Sequence, residues 1–92
     1  MTPRLLARLR RDFPGATASD GVVARLRAVA PDLVGEQRER VLAAVVLLAA
    51  GDVARLDGAV GLAEADWRDA LVAAGLAGAD WRTRLVAEFG PG

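Results

Sequence analysis

The stretch "VLAAVVLLAA", Val41 to Ala50, is apolar on every side when it is placed on a helix. A helix without a polar face is normally buried all round, so this segment predicts a central helix. The charged residues before it extend the helix back to Glu36, where Glu36 and Arg40 have the favourable i, i+4 order for an ion pair. We therefore predict an all-α domain, a compact bundle of short helices around a central apolar helix at about residues 36–50.

Two more helices are predicted on the N-terminal side of this segment. The first begins with Thr2 as N-cap and Pro3 at the first helical position, a residue favoured there because it has no N–H to satisfy. The second is expected to be capped by Ser19 or Asp20. It should end before Pro31, because the residue before a proline avoids the helical region.

The segment after the central helix predicts a fourth helix over about residues 53–65, with Asp52 as its N-cap. Gly58 and Gly61 lie within this helix, and each weakens it by roughly 1 kcal/mol relative to alanine. Two interpretations remain open. Either the glycines allow a neighbouring helix to approach closely, or the helix breaks at them.

A doubled motif, D-W-R-x-x-L-V-A, occupies the C-terminal part of the chain. Asp66 and Asp80 stand where an N-cap belongs, and an aspartate there accepts from free N–H groups and interacts well with the helix dipole. Trp67 and Trp81 are then the first residues of two short helices. Because no alternating strand pattern occurs, the sequence predicts five or six helices in a single domain, residues 1–92.

The composition argues against catalysis. The 92 residues include no histidine, cysteine or tyrosine, and every basic residue is arginine. Four of the six side-chain types that usually carry general acid–base chemistry are therefore missing. Asp66 and Asp69 could form a paired carboxylate site, or could bind a hard cation together with Glu64, but an N-cap with a first-turn acid explains them better. We predict a protein that is not an enzyme and has no cofactor and no metal.

Nothing in the chain predicts a membrane protein. Arginines interrupt the N-terminus, which excludes a signal peptide. The most apolar run, Val41 to Ala50, is about half the ~20 residues that span a bilayer. We expect a soluble cytoplasmic protein, and the Ala-, Gly- and Arg-rich composition is typical of a GC-rich bacterial genome.

Charge is divided unevenly along the chain. Residues 1–27 contain six arginines and two aspartates, a balance of +4, whereas residues 28–92 contain six arginines and ten acids, a balance of −4. Arg4, Arg8 and Arg11 form a stripe opposite the leucine face of the first helix, so we expect all three side chains to reach solvent. The stripe could bind phosphates, or could pair with the acidic half of this chain or of a second copy. The second interpretation is preferred, because nucleic-acid-binding domains are usually basic overall.

The tryptophans also have two interpretations. Trp67 and Trp81 could supply the large apolar mass that an alanine-rich bundle needs, or one of them could be a partly exposed anchor for a partner. The candidate partner-binding residues are thus Trp67, Trp81, Arg4, Arg8 and Arg11. We predict a small protein–protein interaction module that forms a homodimer or binds one protein partner. The alternative is weak nucleic-acid binding through the N-terminal arginine stripe.

The block from Arg40 to Gly75 resembles a group of small bacterial helical proteins that have no known activity. The resemblance rests on an apolar helix that runs into Gly-Asp, a helix with leucine and valine, and then Asp, an aromatic, Arg and Asp. These positions are Gly51, Asp52, Leu56, Val60, Asp66, Trp67, Arg68 and Asp69. The resemblance implies a helical domain and no catalytic residues.

Overall fold

The computed structural model describes residues 1–91 and contains six α-helices within them. No strand occurs in this part of the chain, so the prediction of an all-α bundle is confirmed. The helices are α1 (Pro3–Asp12), α2 (Ala16–Arg27), α3 (Gly35–Ala49), α4 (Val53–Ala65), α5 (Trp67–Ala74) and α6 (Trp81–Phe89).

The apolar helix α3 lies at the centre of the bundle, as its sequence predicts. Every residue from Val41 to Val46 is buried, and none of these side chains is more than 3% exposed. Helix α3 packs mainly against α4 and α5, whereas α1 packs against α2, α3 and α6. A helix that is apolar all round is stable in water only when neighbours cover its whole circumference, and this arrangement covers it.

The N-terminal hairpin differs in one respect from the predicted one. Helix α1 buries Leu5 and Leu9 as expected, but α2 begins at Ala16, upstream of both predicted caps. Ser19 instead lies inside α2, where its buried hydroxyl donates to the carbonyl oxygen of Phe13 at 2.7 Å. The prediction of a cap at Ser19 or Asp20 is therefore wrong, because the serine hydroxyl bonds to the end of α1.

Helix α4 is continuous through both of its glycines. A Cβ atom built on Gly58 or Gly61 would meet no atom within 4 Å, because both residues face solvent. Neither predicted interpretation holds: the helix does not break there, and no other helix within residues 1–91 approaches these positions. The glycines are an energetic cost of roughly 1 kcal/mol each that no contact within the described chain compensates.

Two of the three predicted aspartate caps are present. Asp52 accepts from the backbone N–H of Arg55, and Asp66 from that of Arg68, both at 3.0 Å. Asp80 makes no such bond, so the prediction of a third cap is wrong. A capping residue needs an extended backbone. Asp80 has φ −87° and ψ 12°, which continues a turn into α6.

Candidate functional site

The arginine stripe of α1 is mostly turned inward, contrary to the prediction that all three side chains reach solvent. The side chains of Arg4 and Arg8 are only 16% and 13% exposed. Arg4 forms a bidentate pair with Glu39 of α3, with Nη2 to Oε1 at 2.6 Å and Nε to Oε2 at 2.9 Å. Arg8 pairs with Asp12 at 3.0 Å. Only Arg11, 69% exposed, projects as predicted.

The same two arginines hold the C-terminal end of α6. Arg4 Nη1 donates to the carbonyl oxygen of Gly90 at 3.1 Å, and Arg8 Nη1 donates to that of Glu88 at 2.8 Å. The guanidinium carbon of Arg8 lies 5.2 Å from the ring centre of Phe89. The last carbonyl groups of a helix lack intrahelical donors and carry partial negative charge, so cationic donors stabilise this end.

The Arg4–Glu39 pair perturbs both ionisable groups. The hydrogen bonds from Arg4 lower the pKa of the Glu39 carboxyl group; burial opposes them, and a hydrogen bond from Thr2 Oγ1 at 2.5 Å adds to them. The same pairing raises the pKa of Arg4. Glu39 therefore stays ionised in the fold, and its charge is neutralised from within the chain.

Three adjoining depressions follow the surface between α1, the N-terminal half of α3, and α6. Their volumes are about 290, 250 and 280 Å³. The first and second share Glu39, and the second and third share Arg4, so the Arg4–Glu39 pair lies where they meet. We call this the α1–α3–α6 surface. The larger apolar side chains that line it are those of Met1, Leu5, Leu42, Trp81, Val86 and Phe89.

Trp81 is a core residue that also contributes an edge to this surface. It is 9% exposed, and the guanidinium carbons of Arg40 and Arg82 lie 4.7 and 4.4 Å from its ring centre. Arg82 in turn pairs with Glu36 of α3 at 2.8 Å. The interpretation of Trp81 as apolar mass for the core is the one the structure supports, and its role as an exposed anchor is contradicted by its burial.

Trp67 lies elsewhere in the molecule. It is half-buried against the core, with the guanidinium carbon of Arg68 4.6 Å from its ring centre, and it lines none of the three depressions. The structure thus brings Arg4, Arg8, Arg11 and Trp81 to one surface and leaves Trp67, the first residue of α5, outside it.

Exposed apolar side chains border the α1–α3–α6 surface. Met1 and Val86 line it and are 41% and 47% exposed. Val34, 78% exposed, directly precedes Gly35 of the first depression. Val53 and Val72 are comparably exposed, at 60% and 67%, but line none of the three depressions. These two residues provide natural controls for any test of the surface.

Sequence reasoning missed three polar residues of α3. The sequence assigned no partner to Arg38 or Glu39, and it paired Arg40 with Glu36, whereas in the structure Glu36 pairs with Arg82. Arg38 donates to the carbonyl oxygen of Arg27, the last residue of α2, and to two more just after it, at Val29 and Ala30. Arg40 Nε donates to the carbonyl oxygen of Leu76 at 2.8 Å. The only sequence feature that pointed to these contacts was the run of charged residues at the start of an otherwise apolar helix.

The remaining chemistry of the described chain is sparse. Asp66 and Asp69 behave as a cap and a first-turn acid, since Asp66 accepts from the Arg68 N–H. Between residues 1 and 91, no three acidic, histidine or cysteine side chains lie where they could hold a metal ion. No helix in that range combines the length and hydropathy that a membrane crossing requires.

The chain matches no protein-family model, and neither a curated protein nor a solved structure is significantly similar to it. The resemblance of residues 40–75 to small bacterial helical proteins therefore stays a prediction.

Proposed function

We propose that this protein is a non-enzymatic protein–protein interaction module that associates through the α1–α3–α6 surface, with a second copy of the chain as its partner. The observation that carries the proposal is that Met1 and Val86, two of the five exposed large apolar side chains of the described residues, line that surface, and that a third, Val34, directly precedes Gly35 of its first depression. Exposed apolar groups that cluster beside depressions are typical of docking sites, whereas scattered ones are ordinary.

The polar surroundings of these side chains support the proposal. Interfaces commonly combine an apolar centre with a polar rim and are enriched in Arg and aromatic residues. Here the Arg4–Glu39 and Arg82–Glu36 pairs border Trp81 and Val86. Because Arg4 and Glu39 are already fixed by mutual hydrogen bonds, little side-chain freedom is lost when a partner covers them.

The size of the chain also favours self-association. A 92-residue domain buries a smaller share of its surface than a larger one, and it gains stability when two copies share a face. A standard interface covers about 800 Å² on each partner. That is a modest part of the 5050 Å² exposed by the described chain.

Nucleic-acid binding receives less support than docking of a protein. Two of the three stripe arginines donate to Glu39 and Asp12 and to backbone carbonyls, so their charge is already compensated. Release of counterions from phosphates scales with the number of cations that reach the backbone. Arg11 alone of the stripe is well exposed.

The Ala-, Gly- and Arg-rich composition is the basis for placing the proposed function in the cytoplasm of a bacterium.

The proposal can be tested by sedimentation velocity on matched valine variants. We expect the wild-type chain to dimerise at high micromolar concentration. Val86→Glu should raise the dissociation constant at least tenfold, because it buries a carboxylate in the interface. Val72→Glu, at a valine that is also exposed but lines none of the three depressions, should leave it unaltered. A wild-type chain that stays monomeric at millimolar concentration contradicts self-association, and equal effects of the two variants contradict the assigned surface.

A further inference from the structure

The Arg82–Glu36 pair differs from the other ion pairs of the described residues. It joins the first turn of α6 to the first turn of α3, and its side chains are 68% and 67% exposed. In each of the other ion pairs between residues 1 and 91, at least one side chain is less than half exposed. The pair is therefore open to solvent, on a surface where Arg4 and Glu39 are nearly enclosed.

The pair also keeps unused hydrogen-bonding capacity. Arg82 Nε donates to Glu36 Oε2 at 3.0 Å, and Arg82 Nη2 lies 2.8 Å from the same oxygen. Within the described chain, no residue donates to Glu36 Oε1 and none accepts from Arg82 Nη1. A carboxylate accepts on both of its oxygens, and a guanidinium group donates from all three of its nitrogens. Each side chain can therefore bind a second group of opposite charge without losing the first.

The two charges belong to different helices that border the second depression. Helix α6 contributes Arg82 and Val86, which are one turn apart, and α3 contributes Glu36. In a two-fold dimer the same patch of both copies forms the contact, with its two sides exchanged. An axis that runs along the depression, between the two helices, brings α6 of one copy over α3 of the other. The cation of each copy then faces the anion of the other, so this charge pattern is complementary to itself.

We propose that the Arg82–Glu36 pairs of two copies meet across the two-fold axis and form a ring of alternating charges. Arg82 of each copy then donates to the free Oε1 of Glu36 of the other copy. The inference rests on the self-association proposed above and deepens it, because it names the contact by which one copy recognises another. Val86 and its apolar neighbours supply most of the affinity, and the ring supplies specificity.

Burial in the interface makes the ring more effective than the exposed pair. Water screens both charges of an exposed ion pair, which therefore contributes little to stability. When a second copy covers the pair, this water is removed and each charge lies between two opposite charges, which offsets the loss of hydration. A protein with a like charge or an apolar group at these positions offers no such compensation. The ring thus discriminates against other proteins that could cover the same apolar side chains.

Charge reversal separates a ring between copies from a pair within one copy. Arg82→Glu and Glu36→Arg each place like charges throughout the ring, so each variant alone should dimerise less than wild type. When the two variants are mixed, every contact between copies joins opposite charges, whereas the pair within each copy stays like-charged. The heterodimer association constant, measured by native mass spectrometry, should exceed the geometric mean of the two homodimer constants by at least about tenfold beyond the statistical factor.

Arg25→Glu and Asp57→Arg provide the matched control. They reverse an ion pair between α2 and α4 that lines none of the three depressions. Each reversal moves the net charge away from its wild-type value of zero by the same amount as in the test variants. General attraction between oppositely charged variants is therefore equal in the two mixtures. Heterodimers that are no more favoured with the Arg82 and Glu36 variants than with the control variants overturn the ring.

The ring and the docking surface fail in different ways. The double variant Arg82→Glu/Glu36→Arg restores opposite charges everywhere in the ring, so it should dimerise like wild type; a double variant as weak as the single ones overturns the ring. A wild-type chain that stays monomeric overturns both proposals. A dimer that Val86→Glu weakens, but whose reversed variants show no preference for heterodimers, retains the α1–α3–α6 surface and overturns the ring.

Discussion

Replacement of Glu39 by glutamine tests whether the α1 stripe serves the fold. The Glu39 carboxylate accepts two hydrogen bonds from Arg4 and one from Thr2. Glutamine keeps the shape of the side chain but removes its negative charge. Both members of the pair are largely buried, at 16% and 11% exposure, so the remaining Arg4 charge cannot be fully hydrated. We expect the free energy of unfolding to fall by about 2–3 kcal/mol at neutral pH.

The pH dependence of that loss gives a second, independent readout. The pKa of Glu39 is lower in the fold than its usual value of 4.5, so its contribution is fully present above pH 4.5. The contribution is lost as the pH falls through the lowered pKa of the folded chain, where Glu39 becomes protonated. The difference between wild type and Glu39→Gln in urea denaturation should therefore be largest at neutral pH and shrink on acidification.

Glu36→Gln is the matched control for this experiment. Glu36 lies on the same helix and also pairs with an arginine, but both side chains of that pair are about two-thirds exposed. An exposed pair contributes about 0–1 kcal/mol, so this variant should lose little stability. If Glu39→Gln costs no more than Glu36→Gln, or if its cost is the same at low and neutral pH, the structural role assigned to the pair is wrong.

Three further predictions concern local features. Gly58→Ala and Gly21→Ala should each stabilise the fold by about 0.5–1 kcal/mol in chemical denaturation, since both glycines are helical and a Cβ would meet nothing within 4 Å. Ala50→Gly should raise stability by a similar amount, because Ala50 has φ +49°, a conformation that glycine adopts without strain. Asp66→Ala should cost about 1 kcal/mol and Asp80→Ala less than about 0.5 kcal/mol, because only Asp66 caps its helix; equal losses would contradict the assignment.

The bundle was predictable from the sequence because its decisive signals are local. The all-round apolarity of Val41 to Ala50 requires a central position whatever the neighbours are, and the caps at Asp52 and Asp66 act within three residues of themselves. The same local reasoning failed at Asp80, where the backbone enters α6 through a turn that the preceding loop imposes. The doubled D-W-R motif therefore predicted α5 and α6 correctly and the N-cap at Asp80 wrongly.

The surface was much less predictable, because its contacts join distant parts of the chain. Apart from Asp12, four residues after Arg8, the partners of Arg4 and Arg8 lie 35, 86 and 80 residues away, at Glu39, Gly90 and Glu88. Periodicity alone placed the arginines opposite the leucines of α1, which suggested solvent. That side of α1 is instead covered by α6, whose position depends on the whole topology and leaves no trace in the spacing of the arginines.

The arginines also explain how short helices end in this bundle. The carbonyl groups at the ends of α2 and α6, and that of Leu76 after α5, accept from arginines of another helix: Arg38, Arg4, Arg8 and Arg40. A guanidinium group presents several donors in a fixed plane, so Arg38 can satisfy three carbonyl groups at once, which an ammonium group on a flexible stem does less well. Four of the twelve basic residues of the chain, all of them arginines, thus donate to backbone carbonyl groups within the described residues. A surface whose cations are already bonded recognises a partner mainly by shape and apolar contact, and this favours docking of a protein over binding of phosphates.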